Sequence, residues 1–338
     1  MKENYIKLNW MKHKVRRLRR RSAILALSIL PFQHPVYESK HSIPSHHFKF
    51  SEKSYTCLCY LLRDSIENGE YQTIGVKRIV ENALNVLTSS GDNHLELENP
   101  EELLVYFCRL VVENLGQKFI QFPKNGESFD NILKGFEEFG FPQCFGVVGI
   151  RRFPTNVEDC NNFTLFAVCD YANRFFHIEI NSNSNRTNEQ IYDSSNLNDI
   201  LAQENVSNII KDRDVIVSPC LIADNSFPLK GNLITPYKTS NLNEQQELFN
   251  QKLNVIQDIM KKTFAKLKSR FVCLSSDGID EMLIHTCCIL HNICEILGDT
   301  TEDYWLLENE YDEWDEVSNT ESPEALITRE SFLQLLCN

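Results

Sequence analysis

A chain of 338 residues with 42% apolar and 24% charged side chains can bury a large core and has room for two domains, or for one domain behind a helical prelude. Its net charge of -13 is unevenly spread: residues 1–22 hold nine Lys or Arg against one Glu, a surplus of eight that leaves -21 for the remainder. A body that acidic does not by itself neutralise duplex phosphates, and twelve cysteines without a CxxC pair or a finger-type Cys/His set argue for reduced, buried thiols over a disulfide framework or structural zinc.

The basic run from Lys14 through Arg16, Arg17, Arg19, Arg20 and Arg21 reads as a nuclear import signal or a nucleic-acid arm, with a solvated helix end as the plain alternative. The apolar stretch at residues 23–32 is too short to cross a bilayer and shows no small-x-small cleavage site. It is expected to pack as a first helix. Residues 51–133 have a helical pattern, with apolar side chains at three- and four-residue spacing in 55–66, 74–87 and 101–115. Pro100, followed by Glu101 and Glu102, suits a helix start. With Glu96 and Glu98, these acids sit where a helix-turn-helix protein would meet DNA, which argues against a recognition helix.

After Pro142 the period shortens. Residues 144–150, 163–169, 175–180 and 215–223 are predicted strands, several continuous enough to be buried on both faces. Arg151 and Arg152 read as solvated strand-end charges, the rival being phosphate contact. Residues 181–188 form an Asn/Ser-rich loop. A long helix is predicted over 243–271, where Phe249, Leu253, Ile256, Met260, Phe264, Leu267 and Phe271 mark one stripe. Lys266, Lys268 and Arg270 suggest a basic face on it. The helix predicted over 279–297 is apolar nearly all round and therefore buried, with His291 and Asn292 as a polar anchor bonding backbone. Residues 302–321 carry nine acids and no base, with Trp305, Tyr311 and Trp314 among them. Such a tail is either disordered or docked on a basic partner or the chain's own basic N-terminus. The predicted architecture is α/β or α+β.

Six segments in order resemble the PIF/Harbinger family of transposases and their domesticated, nuclease-like relatives in the DDE superfamily. Gly140-Phe-Pro-Gln-Cys-Phe-Gly-Val-Val-Gly-Ile150 resembles the family's GFP-x-x-x-G-x-I-D-G strand, and Val168-Cys-Asp170-Tyr-Ala-Asn-Arg-Phe175 its V-x-D-x-x-G-x-F hairpin. Ile191-Tyr-Asp193-Ser194 falls at the HDS element. Asp224-Asn-Ser-Phe-Pro-Leu229, continued to Thr235-Pro-Tyr237, resembles G-D-S-G-Y-P-L and its L-x-T-P-Y sequel. Phe264-Ala-Lys-Leu-Lys-Ser-Arg-Phe271 resembles F-G-x-L-K-x-R-F, and Cys287-Cys-Ile-Leu-His-Asn-Ile293 resembles A-C-C-x-L-H-N-I. The resemblance implies an RNase H-like mixed sheet flanked by helices, behind an all-helical N-terminal region. The expected segments are a basic N-terminus (1–50), a helical domain (51–135), the RNase H-like DDE nuclease-type domain (136–300) and an acidic C-terminal tail (301–338).

An active member of such a family would hold two divalent metals about 4 Å apart to activate the attacking oxygen and stabilise the leaving one, using carboxylates from separate elements. Carried over residue by residue, the family's four acid positions fall on Gly149, Asp193, Asp224 and Lys261. Two carboxylates survive, so Asp193 and Asp224 are expected to be vestigial ligands only, with no catalytic residues, no cofactor and no metal pair. The HDS histidine is Tyr192. Lys261 is expected to stand in for the metal, its ammonium near Asp193 or Asp224. A rival reading keeps a metal-dependent endonuclease using Mg2+ or Mn2+ through the shifted ligands Asp258 or Asp170. A third is a fold retained for homo-oligomeric scaffolding. What the resemblance implies first is a catalytically inactive, nuclear, chromatin-associated interaction module. It would work with a separate Myb/SANT- or MADF-like DNA-binding protein or a chromatin complex, with weak or absent direct DNA binding and no membrane contact.

Overall fold

The computed structural model describes residues 49–89, 99–124, 126–154, 162–182, 186–203, 210–212, 215–238, 241–276, 279–299 and 317–337. The basic run, the apolar stretch behind it and the acidic residues 302–316 lie outside them. In chain order the elements are α1 (Glu52–Glu67), α2 (Val76–Thr88), α3 (Pro100–Phe119), α4 (Glu127–Glu138), β1 (Cys144–Pro154), β2 (Asn162–Cys169), β3 (Phe175–Ser182), α5 (Asn188–Ser194), α6 (Leu197–Gln203), β4 (Ile210–Asp212), β5 (Val215–Val217), β6 (Cys220–Ile222), β7 (Leu233–Ile234), α7 (Glu244–Arg270), a 3-10 turn (Val272–Ser275), α8 (Glu281–Leu297) and α9 (Pro323–Cys337). The described residues gather into two compact units: those within 49–121, 153–163 and 265–299, and those within 122–152, 164–264 and 317–337. Each unit is therefore stitched from segments distant in sequence.

The first unit is helical. Ser51 caps α1, its hydroxyl accepting from the Ser54 amide at 3.1 Å. Asp299, just past the left-handed Gly298 that ends α8, accepts from the Ser51 amide at 3.0 Å and the Ser54 hydroxyl at 2.8 Å. Helix α8 is buried on nearly every side, as its apolar sequence predicts: Ile284, Cys287, Cys288, Ile289, Leu290, Ile293 and Cys294 all lose their solvent. Gly116 of α3 admits Ile289, whose Cδ1 is 3.7 Å from where a Cβ would stand. Asn292 donates to the Phe119 carbonyl at 2.7 Å, the backbone anchor expected of it. His291 also meets a side chain, the Arg270 guanidinium, 3.4 Å from its Nδ1.

That arginine corrects the expected basic face. Arg270 is wholly buried and Lys266 nearly so; Lys266 Nζ lies 2.6 Å and Arg270 Nη1 3.7 Å from the Glu295 carboxylate. The charges point inward because α8 supplies a buried acid there, which the helical pattern of residues 266–270 alone does not reveal. Burial pushes the Glu295 carboxyl up, but Lys266, His291 and Arg270 outweigh it, and the net shift is downward.

The second unit is built on a five-stranded sheet in the order β3-β2-β1-β6-β7. β1 pairs in parallel with β6, and β6 with β7. β2 and β3 are joined by residues 170–174, too few for a crossover, so they run antiparallel. This mixed sheet flanked by helices is the RNase H-like α/β fold that the sequence predicts. The central strands are apolar runs without alternation because both faces are covered: Cys144, Phe145, Val147 and Val148 of β1 and all of β6 are buried. The predicted strand over 215–223 is two strands. Pro219 interrupts it because it has no N–H for a ladder, and β5 pairs antiparallel with β4 in a separate ribbon.

Helix α7 buries the predicted stripe, with Phe249 against Phe141 and Tyr237 and Phe264 against Phe175. The end of the chain departs from the reading as tail. Residues 323–337 form α9, started by Pro323 and capped by the Ser322 hydroxyl, which accepts from Ala325 at 3.3 Å. Phe332 meets Phe141, and Arg329 lies 4.1 Å over the Tyr237 ring.

Replacing Glu295 by Ala should cost about 3–5 kcal/mol in denaturant unfolding, because it leaves the buried Arg270 uncompensated. The pH dependence follows from the lowered carboxyl pKa: the stabilisation is complete above the unfolded value of about 4.3 and fades as pH falls through the lower folded value. Unfolding curves that lose no stability on acidification, relative to Glu295→Gln, would contradict this placement.

Candidate active site

The parallel pairing of β1 with β6 decides where the first two site positions lie. From the Val147–Ile222 pair, two residues further along each chain bring Gly149, in the middle of β1, level with Asp224, just past the carboxyl end of β6. Helix α7 runs past the same point. Gln257 donates to the Ala223 carbonyl at 2.7 Å, and a Cβ built on Gly149 would stand 2.6 Å from Met260 Cγ and 3.0 Å from Phe264 Cε2. Met260 is itself 4% exposed. The space into which a side chain at 149 would project is thus filled by Met260. Lys261, next in sequence, is about half exposed and pairs with Asp258 on its own helix at 3.6 Å.

Asp224 lies in the turn after β6. Its Oδ1 accepts from the Ser226 amide at 2.9 Å and also from the Ser226 hydroxyl. Asn188, the first residue of α5, donates to that hydroxyl oxygen at 2.8 Å and accepts from Arg152 at 2.7 Å. Arg152 is therefore hydrogen-bonded across the unit, which corrects its reading as a solvated strand-end charge. Asp193, on α5, binds Lys230 at 2.6 and 2.9 Å through both carboxylate oxygens. Lys230 also lies 3.7 Å from Glu189, one turn earlier on α5. The cation on Asp193 is Lys230 rather than the expected Lys261. Lys230 reaches it because Gly231, at φ +49°, turns the chain sharply so that Leu233 can donate back to the Lys230 carbonyl at 2.8 Å.

The structure thus brings Gly149, Asp224 and α7 together, and ties Asp193 to the same turn through α5. Tyr192 is buried and donates to Asn198 at 3.1 Å; burial first, then Asp193, pushes its hydroxyl up to about 12. The shifted-ligand candidates are placed otherwise. Asp170 is buried in the β2–β3 turn, accepting from the Ala172 and Arg174 amides at 2.8 and 3.0 Å and pairing with the Arg174 side chain at 2.5 Å. Asp258 points to solvent with Lys261. Among the described residues no three His, Cys, Asp or Glu side chains stand close enough to hold a metal ion. This donor set does not fit a two-metal centre: one position has no side chain and no room for one, and another carries an ammonium.

Asn188, Glu189, Ser226, Lys230 and Met260 were not singled out as site residues in the sequence. A signal existed for α5, where Thr187 and Gln190 form a capping box. None existed for Met260, an ordinary member of an apolar stripe.

Residues 155–292 match the family model described as DDE superfamily endonuclease. A curated relative named Protein ALP1-like, from Arabidopsis thaliana, is 25% identical over 226 residues, covering 60% of this chain and 55% of its own length. The chain thus spans little more than half of that relative. No solved structure matches it. In agreement with the six motifs in order and the mixed sheet, residues 155–292 are thus similar to the nuclease domain of the DDE superfamily.

Proposed function

We propose that the chain is a catalytically inactive descendant of a DDE-superfamily transposase that serves as a protein-interaction module in the nucleus. The observation that carries the first half is Met260 lying where a carboxylate at position 149 would have to stand. Two further features support it. Lys261 places a cation where the family has an acid, and a fixed positive charge opposes a divalent ion in a partly buried site. Asp193 and Asp224 have protein partners for their oxygens, so a metal would have to displace Lys230 from the first. On this reading the protein takes no metal cofactor.

The second half rests on charge and family. An acidic body meets DNA through a basic partner or adaptor, and relatives of this type work beside a separate Myb/SANT- or MADF-like protein or within chromatin complexes. The same division of labour is proposed here, with little direct DNA binding. Isolation from nuclear extract should yield a stably associated DNA-binding protein. Recovery of self-associated chain alone would favour homo-oligomeric scaffolding instead.

Purified protein should nick plasmid DNA in Mn2+ no faster than its Asp224→Ala variant. Cleavage that this substitution abolishes would establish an endonuclease. Gly149→Asp should cost about 1–3 kcal/mol in thermal or denaturant unfolding because of overpacking, and less in a Met260→Ala background. An equal cost in both backgrounds would show that Met260 does not close the position.

A further inference from the structure

The chain returns from its acidic stretch to the rim of the α5 acids and is fastened there by hydroxyl groups. Ser318 donates to Glu189 Oε2 at 2.8 Å and Thr320 to Glu189 Oε1 at 2.6 Å, so one carboxylate takes both. The backbone follows. Ser318 N donates to the Asn225 carbonyl at 3.0 Å, Leu229 N to the Thr320 carbonyl at 2.9 Å, and Ser322 N to the Leu229 carbonyl at 2.8 Å. Lys238 donates to the Ser318 carbonyl, and Arg329 holds Glu321 at 3.1 Å. The short strap over residues 318–322 thus lies along the loop that runs from Asp224 to Lys230.

We propose that Thr320 and Ser318 are phosphoryl acceptors for an acidophilic serine/threonine kinase, and that their modification unlatches this strap from Glu189. Thr320 is partly exposed between two exposed neighbours, Asn319 and Glu321, and is reached first; Ser318 is buried and becomes accessible as the strap lifts. The sequence around them suits a kinase whose substrate groove is basic: nine acids and no base lie within 302–321, Glu321 stands third after Ser318, and Glu324 follows. The hydroxyl oxygen attacks the γ-phosphorus of ATP, the bond to ADP breaks, and the hydroxyl proton passes to the kinase's base.

Release follows from the partners. Each hydroxyl is a donor to a carboxylate, and a phosphate monoester offers no such donor at neutral pH while bringing about -1.5 to -2 charges. Hydrogen bonds from Thr320 first, then Ser318, hold the Glu189 carboxyl below its ordinary range against the pull of burial, so it is ionised and would repel the phosphate. Of the neighbouring cations, Lys230 is already bound to Asp193 and Lys238 to the Ser318 carbonyl. The inference does not depend on whether the domain has lost catalysis.

The full chain, incubated with a purified acidophilic kinase and Mg-ATP, should gain phosphate on the peptide spanning 317–322, and a Ser318→Ala/Thr320→Val variant should gain none there. Hydrogen exchange followed by mass spectrometry should then show amides of 229 and 318–322 exchanging about tenfold faster or more, as loss of two charged hydrogen bonds implies. Glu189→Gln keeps the shape but weakens the latch, so its amides should exchange faster without kinase and gain less from phosphorylation. Absence of phosphate in that peptide would overturn the proposal. So would phosphorylated protein whose strap exchanges no faster, or more slowly because Lys238 or Lys230 captures the phosphate.

Discussion

How closely α7 lies on the sheet is set by one contact, Met260 against the bare Cα of Gly149. Interiors are packed too densely for a side chain to be added there without displacement, so the absence of a Cβ at 149 and the presence of a thioether at 260 depend on each other. Polar fasteners hold the same approach on either side: Gln257 to the Ala223 carbonyl, and Asn173 to the Ile259 carbonyl and Thr263 hydroxyl at 3.1 and 3.0 Å. Asn173 takes the left-handed conformation, φ 64°, that favours glycine. Asparagine tolerates it and gains an amide with which to grip the helix.

Asp193 and Asp224 are each kept by neutral or cationic neighbours. Asp224 is a turn acceptor for Ser226, and Asp193 is a counter-ion for Lys230. A divalent ion would have to outbid both arrangements while receiving nothing from positions 149 and 261. The loop from 224 to 230 joins the two acids, and α5, though only two turns long, meets it three times: Asn188 serves Ser226, Glu189 serves the strap, and Asp193 serves Lys230.

In the helical unit the controlling feature is a buried charge cluster. Arg270 and Lys266 are inside because Glu295 and His291 of α8 are there to receive them. Such clusters stabilise weakly when intact and destabilise strongly when broken, so their worth lies in fixing which helix faces which.

By itself the sequence determined the periods. Apolar repeats located α1, α2, α3, α7 and α8 to within a few residues, continuous apolar runs located β1, β2, β3 and β6, and six ordered motifs carried the similarity to the DDE superfamily. Those signals are local, because a helix or a buried strand writes its own spacing into adjacent residues. Only the tertiary structure decided what each charge or cavity meets. That Lys230 rather than Lys261 holds Asp193, that Arg270 is buried, that Met260 fills the space at Gly149, and that the residues after the acidic stretch form a strap and a helix are facts about segments many residues apart. No spacing rule encodes them, since the partner's distance along the chain is set by the fold and not by the period.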